Sequence, residues 1–188
     1  LLSCGRPTVI VEAMEIMDEE GRILGPGETG EVVLRGPTMM DRYLDDEPAT
    51  AEIQKFGWHH TGDIGRRDDE GYFYITDRKR DLIISGGFNI FPFEVESALM
   101  KHPSVQDCAV IGVPDAKWGE AVKACVQLKP GALASADELI AWTRNLVGSM
   151  KAPKSLDFVD NLPRSPVGKV LKRDLRAPYW EGRTRAVG

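Results

Sequence analysis

A cluster of charges separates two different patterns in this sequence, and it limits the fold more than any other feature. The cluster is Asp77-Arg78-Lys79-Arg80-Asp81. Before it, short apolar runs alternate with acidic turns that end in glycine, which is typical of antiparallel strands. After it, apolar residues at helical spacing alternate with strand-like runs. The sequence therefore predicts a β-rich unit and a mixed helix-and-strand unit that meet near residue 80.

Two acidic turns organise the first unit. Residues 18–21 read Asp-Glu-Glu-Gly and residues 68–71 read Asp-Asp-Glu-Gly, and both segments lie between apolar runs. Asp favours turns because its side chain binds nearby amides, and Gly adopts the positive φ that closes a hairpin. Both segments therefore predict hairpin turns, and residues 32–34 predict a short strand that ends at Gly36-Pro37.

The second unit alternates predicted strands and helices. In order, they are a hairpin around Ser85-Gly86-Gly87, a helix from Pro92, a buried strand at residues 108–113, a half-exposed strand at 122–128, a helix after Ser135, a loop at 163–168, a basic helix at 169–176 and a loose tail at 182–188. Ser135 and Glu138 have the spacing of a capping box, and Gly148 is a stop signal for that helix. Its inner face is predicted to consist of Leu139, Trp142 and Leu146.

The charge balance and the short apolar runs argue against several classes of protein. Lys and Arg number 24 and Asp and Glu number 29, a net charge of −5, whereas nucleic-acid and membrane-surface binders are normally basic. No run approaches the roughly 18 apolar residues of a transmembrane helix. The cysteines, Cys4, Cys108 and Cys125, lack zinc-ligand or CxxC spacing and predict reduced thiols in the cytoplasm.

The start of the sequence predicts that more chain precedes it. It lacks an initiator Met and the basic-then-apolar pattern of a signal peptide. Its 188 residues suit one average domain or two small ones. We therefore expect an internal piece of a longer protein.

Four short clusters carry residue types that bind sugar or phosphate. The carboxylate of Asp63, after a Thr-Gly turn, suits two hydrogen bonds from a ribose diol, and Arg78 suits a ribose or phosphate oxygen. Gly86-Gly87 leaves room for a thin ligand to approach the backbone. Lys169 ends a Pro/Gly loop that lacks the first glycine of a P-loop, yet its charge suits an oxyanion. Taken singly, each cluster is more often an ordinary turn or a solvated charge.

Together, in this order and spacing, the clusters resemble the C-terminal third of adenylate-forming (AMP-binding) enzymes. The matching segments are residues 57–63, residues 77–90, Pro92 with Glu94-Val95-Glu96, and residues 162–169 with Arg173, preceded by residues 30–37 and Tyr43-Leu44. The chain most resembles acyl-CoA synthetases, particularly fatty-acid–CoA ligases, over residues 5–176. The motifs are specific for the superfamily and much less so for the acid.

The resemblance implies a fold and a reaction. The fold class would be α+β: residues 1–79 as the β-rich last subdomain of the large AMP-binding body, whose upstream part is missing, and residues 80–188 as a small mobile α/β lid with a short antiparallel sheet flanked by helices. Such enzymes activate a carboxylic acid with ATP to an acyl-adenylate and transfer the acyl group to CoA. The expected ligands are ATP or AMP, CoA, the acid, and Mg²⁺ whose ligands lie outside this chain.

Three residues would serve adenylation. By the resemblance, Lys169 would be the catalytic residue that bridges the substrate carboxylate and the α-phosphate. Asp63 would bind the ribose hydroxyls of ATP, and Arg78 would support the ribose.

Four further residues would serve the transfer to CoA. The lid would rotate about Arg80, the hinge, and so withdraw Lys169. Gly86 and Gly87 would then line the passage for pantetheine. Lys154 would meet the nucleotide end of CoA, with a solvated lysine as the alternative.

Two other functions stay open at this point. One is an adenylation domain that loads a carrier-protein thiol, which a downstream Asp-Ser-Leu segment would favour; the sequence up to Gly188 contains none. The other is a non-catalytic AMP-binding-like module, against which the joint presence of Asp63, Gly86-Gly87 and Lys169 argues. We expect a cytoplasmic enzyme that acts as part of a longer chain, with no nucleic-acid partner and no activity as this piece alone.

Overall fold

The structure is a computed structural model that describes residues 3–185. The chain divides into two compact units, Leu1–Lys79 and Arg80–Gly188. Each unit has its own sheet and its own apolar core, and helices accompany both sheets. The α+β class is therefore confirmed.

The first unit is built on a four-stranded antiparallel sheet whose strands follow chain order. The strands are β1 (Ala13–Met17), β2 (Thr29–Arg35), β3 (His59–Arg67) and β4 (Phe73–Arg78), and helix α1 (Glu47–Ile53) lies between β2 and β3 in sequence. Ile16, Val32 and Phe73 form the buried core of this unit. Pro48 in the first turn of α1 and the Asp46 carboxylate, which accepts the Ala49 N–H at 3.0 Å, explain where that helix begins.

Both acidic turns form as predicted. The Asp68 carboxylate accepts the backbone N–H groups of Glu70 and Tyr72 at 3.0 and 2.9 Å, so the turn between β3 and β4 is closed by its first residue. Asp18 does the same after β1. The final glycine of each turn has a positive φ, 85° at Gly21 and 82° at Gly71, which a residue with a Cβ adopts only with strain.

The second unit combines strands and helices in alternation. Its elements are β5 (Ile83–Ser85), β6 (Phe88–Ile90), α2 (Pro92–Leu99), β7 (Val105–Asp115), β8 (Gly119–Leu128), α3 (Ala136–Lys151), β9 (Ser155–Phe158) and α4 (Lys172–Trp180). The strand order is β6-β5-β8-β7, and β9 pairs with β8. All pairs are antiparallel except β8–β9, which is parallel.

Strand β8 is buried on both faces. Its alternating sequence predicts one exposed face, and that prediction is wrong. Val122, Ala124 and Val126 pack into a core that includes residues of α2 and α3, while Cys125 joins a second buried cluster with Leu162. Lys123, a charged residue in the middle of the strand, is also buried and forms an ion pair of 2.8 Å with Asp157 of β9. Lys123 in the alternating sequence of β8 therefore belongs to a buried ion pair and does not indicate a face exposed to solvent.

Helix α3 has a narrower buried face than predicted. Ser135 and Glu138 form the predicted capping box, and Gly148, with φ 81° and ψ 164°, interrupts the helix near its end. Leu139 is fully buried, but Leu146 is 50% exposed. The buried polar partner of Leu139 is Thr143, whose hydroxyl donates to the Leu139 carbonyl at 2.7 Å. Trp142 lies at the edge, and its indole N–H donates to the Ala98 carbonyl of α2 at 3.0 Å.

The last helix begins later than predicted. The sequence predicts a basic helix over residues 169–176, whereas α4 starts at Lys172 and leaves Lys169 outside it. Of the loose tail predicted at residues 182–188, residues 186–188 lie outside the described residues. Within the described part, Arg185 forms an ion pair with Glu120 of β8, with Nε and Oε1 at 2.8 Å.

Replacing Leu139 with alanine should destabilise the chain by about 2–5 kcal/mol, because it removes a fully buried side chain and leaves a cavity. Leu146→Ala, on the same helix but half-exposed, is the matched control and should cost less than about 1 kcal/mol. Urea unfolding of the three proteins measures both differences. Equal losses for the two variants would contradict the buried face described here.

Candidate functional site

The structure brings Asp63 and Arg78 together on neighbouring strands. The two residues face each other across β3 and β4, and Arg78 Nε lies 2.7 Å from Asp63 Oδ1. The Asp63 side chain is 26% exposed and that of Arg78 is 50% exposed, so solvent reaches both. A carboxylate and a guanidinium at one place on a sheet present both acceptors and donors to a polar ligand such as a sugar diol.

Asp63 lies in a bulge of β3. Glu31 and Val33 of β2 pair with Ile64 and His60 of β3, so one residue of β2 lies opposite three residues of β3 in this interval. Gly62 within the bulge has φ 72°, and the Thr61 hydroxyl donates to the Val32 carbonyl at 2.8 Å while it accepts the Asp63 N–H at 3.1 Å. Bulges re-aim side chains and are frequent beside active sites.

A buried carboxylate supports this bulge from β2. Glu31 Oε1 accepts the Gly62 N–H at 3.0 Å, and Oε2 lies 3.0 Å from Lys79 Nζ and 3.1 Å from His60 Nδ1. Burial alone would raise the pKa of Glu31, but the hydrogen bonds from His60, Lys79 and the Gly62 amide together outweigh it and hold the pKa below its usual value. Glu31 is not recognisable from the sequence, because it directly precedes the apolar residues 32–34, where an exposed charge is ordinary.

Gly86 and Gly87 form the turn between β5 and β6. Their φ angles are 58° and 81°. A Cβ on Gly86 would lie 2.6 Å from Trp118 Cε3, and the Gly86 N–H donates to the Trp118 carbonyl at 2.8 Å, so this glycine is required by close packing. A Cβ on Gly87 would meet nothing within 4 Å. The turn therefore has free space on the side of Gly87, which is compatible with a ligand that runs along the backbone.

Lys169 projects from a small hydrogen-bonded hairpin rather than from a free loop. Ser165 N–H donates to the Lys169 carbonyl at 2.8 Å, and the Ser165 hydroxyl accepts the Lys169 N–H at 3.2 Å. Arg164 holds this hairpin by pairing with Asp107 of β7 and by donating to the Gly168 carbonyl. Lys169 itself is exposed, and within residues 3–185 its ammonium group has no hydrogen-bond partner. The hairpin thus fixes the backbone and leaves the charge available.

Lys154 and Arg80 make different local contacts. Lys154 is exposed and follows α3, where its Nζ donates to the Ser149 carbonyl at 2.7 Å. Arg80 lies in a short 3₁₀ turn, Lys79–Asp81, and its carbonyl accepts from Arg176 and Arg185 at 3.2 and 2.7 Å. Of the sequence-predicted residues, the structure pairs only Asp63 with Arg78; Gly86-Gly87, Lys154 and Lys169 lie on separate segments of the second unit.

Over residues 3–185 there is no group of three or more His, Cys, Asp or Glu side chains that could hold a metal ion. In the same part of the chain, none of the helices has the length and apolar character needed to cross a bilayer.

Comparison with known proteins adds family evidence to this geometry. Residues 94–169 match the profile of the AMP-binding enzyme C-terminal domain. The chain is 43% identical over 195 residues to a medium/long-chain-fatty-acid–CoA ligase of Mycobacterium tuberculosis, covering 100% of this chain and 34% of the relative. It is 45% identical over 177 residues to a feruloyl-CoA synthase of an Amycolatopsis species, covering 94% and 36%. ATP-bound MatB of Rhodopseudomonas palustris superposes with a TM-score of 0.89 at 36% identity, covering 95% and 36%.

The matched residues 94–169 lie in the second unit, the sheet-and-helix unit whose hairpin carries Lys169. The chain contains an AMP-binding enzyme C-terminal domain, and its resemblance to the C-terminal part of acyl-CoA synthetases is confirmed. The chain spans about a third of the length of the curated relatives it matches.

Acid should weaken the first unit through Glu31. Because the folded-state pKa of this group lies below its usual 4.5, its ion pair stabilises the fold above about pH 4.5, and this stabilisation is lost as the pH falls through the lower folded-state pKa. Glu31→Gln should therefore be less stable than wild type at pH 7, and the difference should shrink as the pH falls below 4.5 and through the lower folded-state pKa. Urea unfolding across this range measures it, and a difference that does not vary with pH would contradict the assignment.

Proposed function

We propose that this chain is the C-terminal portion of an ATP-dependent acid–CoA ligase whose acid is a fatty acid. In the first half-reaction a carboxylate oxygen attacks the α-phosphorus of ATP, and pyrophosphate leaves. In the second, the CoA sulfur attacks the acyl carbon, and AMP leaves. The observation that carries the proposal is the 43% identity to a fatty-acid–CoA ligase over the whole chain.

Lys169 would supply the charge for adenylation. The attacking carboxylate and the α-phosphate are both anionic, and charge accumulates on the phosphoryl oxygens as the new bond forms. An ammonium group placed between them stabilises the transition state more than the ground state. The exposed side chain of Lys169 on a braced hairpin supports this role, because its charge has no competing partner within residues 3–185.

The Asp63–Arg78 pair would hold the ribose of ATP. Asp63 would accept hydrogen bonds from the two ribose hydroxyls, and Arg78, which lies 2.7 Å from Asp63, would hold the carboxylate in one orientation.

Thioester formation would use other residues of the second unit. Rotation about Arg80 would withdraw Lys169 and bring Gly86-Gly87 to the reacting centre, so that two half-reactions share one pocket. The open side of Gly87 would line the pantetheine passage. Lys154 would meet the nucleotide end of CoA, which requires it to exchange the Ser149 carbonyl for a phosphate oxygen.

The rest of the longer protein would supply the adenine pocket and the acyl tunnel. Mg²⁺ would accompany ATP, and we assign it no ligand among residues 3–185. The three free cysteines, of which Cys108 and Cys125 are buried, support a reducing compartment such as the cytoplasm.

A chimera tests the proposal directly. The C-terminal third of the Mycobacterium tuberculosis ligase would be replaced by this chain, and pyrophosphate release would be measured with a long-chain fatty acid, with and without CoA. Because the host supplies the acyl tunnel of the chimera, the acid itself is tested with the longer protein that contains this chain, on short, medium, long-chain and aryl acids. Release with fatty acids, and acyl-CoA only when CoA is present, is the expected result. Release without any acyl-CoA would indicate a carrier-protein acceptor, and no release from a folded chimera would favour a non-catalytic module.

In that chimera, Lys169→Ala should slow adenylation by about 100- to 1000-fold, by analogy with the loss of one oxyanion donor. Thioester formation from supplied acyl-adenylate should be spared, because Lys169 would be withdrawn in that step. Lys101→Ala, an exposed lysine after α2, is the control and should leave both steps unchanged. Equal losses in both half-reactions would argue against the proposed exchange of residues.

The 188-residue chain by itself should release no detectable pyrophosphate from ATP and any acid, since the proposed adenine and acyl pockets lie outside it. The assay would use the purified chain beside the active chimera at equal concentration. Turnover that copurifies with the chain through two independent purification steps would contradict this expectation.

A further inference from the structure

Glu31 is a buried charge for which the proposed reaction has no use. Its side chain is only 9% exposed, and burying a carboxylate costs free energy unless its oxygens are well paired. Within residues 3–185, the hydrogen bonds and ion pairs of its carboxylate are with the Gly62 amide, His60 and Lys79, which lie beside the candidate ribose site. The burial of Glu31 is therefore best explained by its effect on this bulge.

The bulge of β3 lacks the regular strand-to-strand hydrogen bonds that fix the rest of the sheet. Between the Val33–His60 and Glu31–Ile64 pairs, the extra residues of β3 have no regular partner on β2. The Gly62 N–H would therefore lack a strand partner, and Glu31 Oε1 takes that place at 3.0 Å. Because Asp63 follows Gly62 directly, the bond fixes the backbone from which the Asp63 carboxylate projects.

The same carboxylate also fixes the partner strand. Glu31 Oε2 binds Lys79 Nζ at 3.0 Å, and Lys79 directly follows Arg78, the residue that pairs with Asp63. One carboxylate therefore holds the residue before Asp63 and the residue after Arg78. With both flanks held, the 2.7 Å Asp63–Arg78 pair has a defined position on the sheet.

We infer that Glu31 is a positioning residue for nucleotide binding, acting through Gly62 and Lys79 on the Asp63–Arg78 pair. Its ligand class is the ribose of a nucleoside triphosphate, so the inference rests on the proposed function for that last step. The arrangement itself, a buried carboxylate that braces the bulge, does not depend on the identity of the ligand.

The first test uses this chain without any ligand. Amide hydrogen exchange at Gly62, followed by NMR, should be at least about tenfold faster in Glu31→Ala, because a hydrogen bond to a charged acceptor is lost. Glu31→Gln keeps a neutral acceptor and should give an intermediate rate. The control is Glu15→Gln, on β1 of the same sheet, whose carboxylate pairs with Arg67 at 3.1 Å. Unchanged Gly62 exchange in both Glu31 variants would overturn the inference.

The second test uses the chimera and compares ATP with 2′-deoxy-ATP. If Glu31 positions Asp63 for the ribose hydroxyls, the preference in kcat/KM for ATP should fall by about tenfold in Glu31→Ala and less in Glu31→Gln. A purely structural role would lower kcat/KM equally for both nucleotides and leave the preference unchanged, which would overturn the inference. Glu15→Gln should keep the wild-type preference.

The two tests separate the inference from the proposed function. An unmodified chimera that folds but releases no pyrophosphate contradicts the proposed function, and the exchange rate at Gly62 then decides whether Glu31 braces the bulge. If the chimera is active and its preference for ATP over 2′-deoxy-ATP is the same in the Glu31 variants, the inference is contradicted and the ligase proposal stands.

Discussion

Burial of the β7–β8 hairpin on both faces is the constraint on which the second unit depends. One face packs against apolar residues of α2 and α3. The other face packs against α4 and against the segment that follows β9. A strand buried on both sides has no solvated row of side chains, so each polar residue in it needs a partner. Lys123 finds one in Asp157, and Glu120 finds one in Arg185. The later parts of the chain are therefore held to the hairpin by charge as well as by apolar contact.

The position of the Lys169 hairpin follows from this arrangement. Leu162 and Val170, at its two ends, pack on the second face of the β7–β8 hairpin, and Arg164 pairs with Asp107 at the edge of β7. The hairpin is thereby attached at both ends and along one side, while Lys169 remains in solvent. A lysine required to act on a phosphate needs a firm base and a free ammonium group, since side-chain freedom alone would spread its charge over many positions.

The sequence predicts those features of the fold that local chemistry decides. The turns at Asp18 and Asp68, the glycine turn at Gly86-Gly87 and the capping box at Ser135 each depend on residues within a few positions, and all form as predicted. The exposed face assigned to β8 and the parallel strand β9 depend on residues from distant parts of the chain. Periodicity reports which residues alternate, but it does not report whether a second layer covers the polar row.

The same distinction between local and distant residues applies to the candidate site. Asp63 and Arg78 are recognisable from their motifs, and their pairing follows from the register of β3 and β4. Glu31 is 32 positions before Asp63 in the sequence, and only the bulge of β3 brings the Gly62 amide to its carboxylate. No local pattern distinguishes such a glutamate from a surface residue of a strand. What distinguishes Glu31 is its burial together with the missing strand-to-strand hydrogen bond of the Gly62 amide.

The link between the two units has its flanks secured by different parts of the chain. On one side, Lys79 is tied to the first unit through Glu31; on the other, the Arg80 carbonyl is tied to the second unit through Arg176 and Arg185. These contacts join each side of the Lys79–Arg80 connection to its own unit. If Arg80 is the hinge, rotation about a single connection moves the lid as one body, because neither flank has to be rebuilt. The ion pair between Glu31 and Lys79 would then mark the end of the first unit, directly before the hinge.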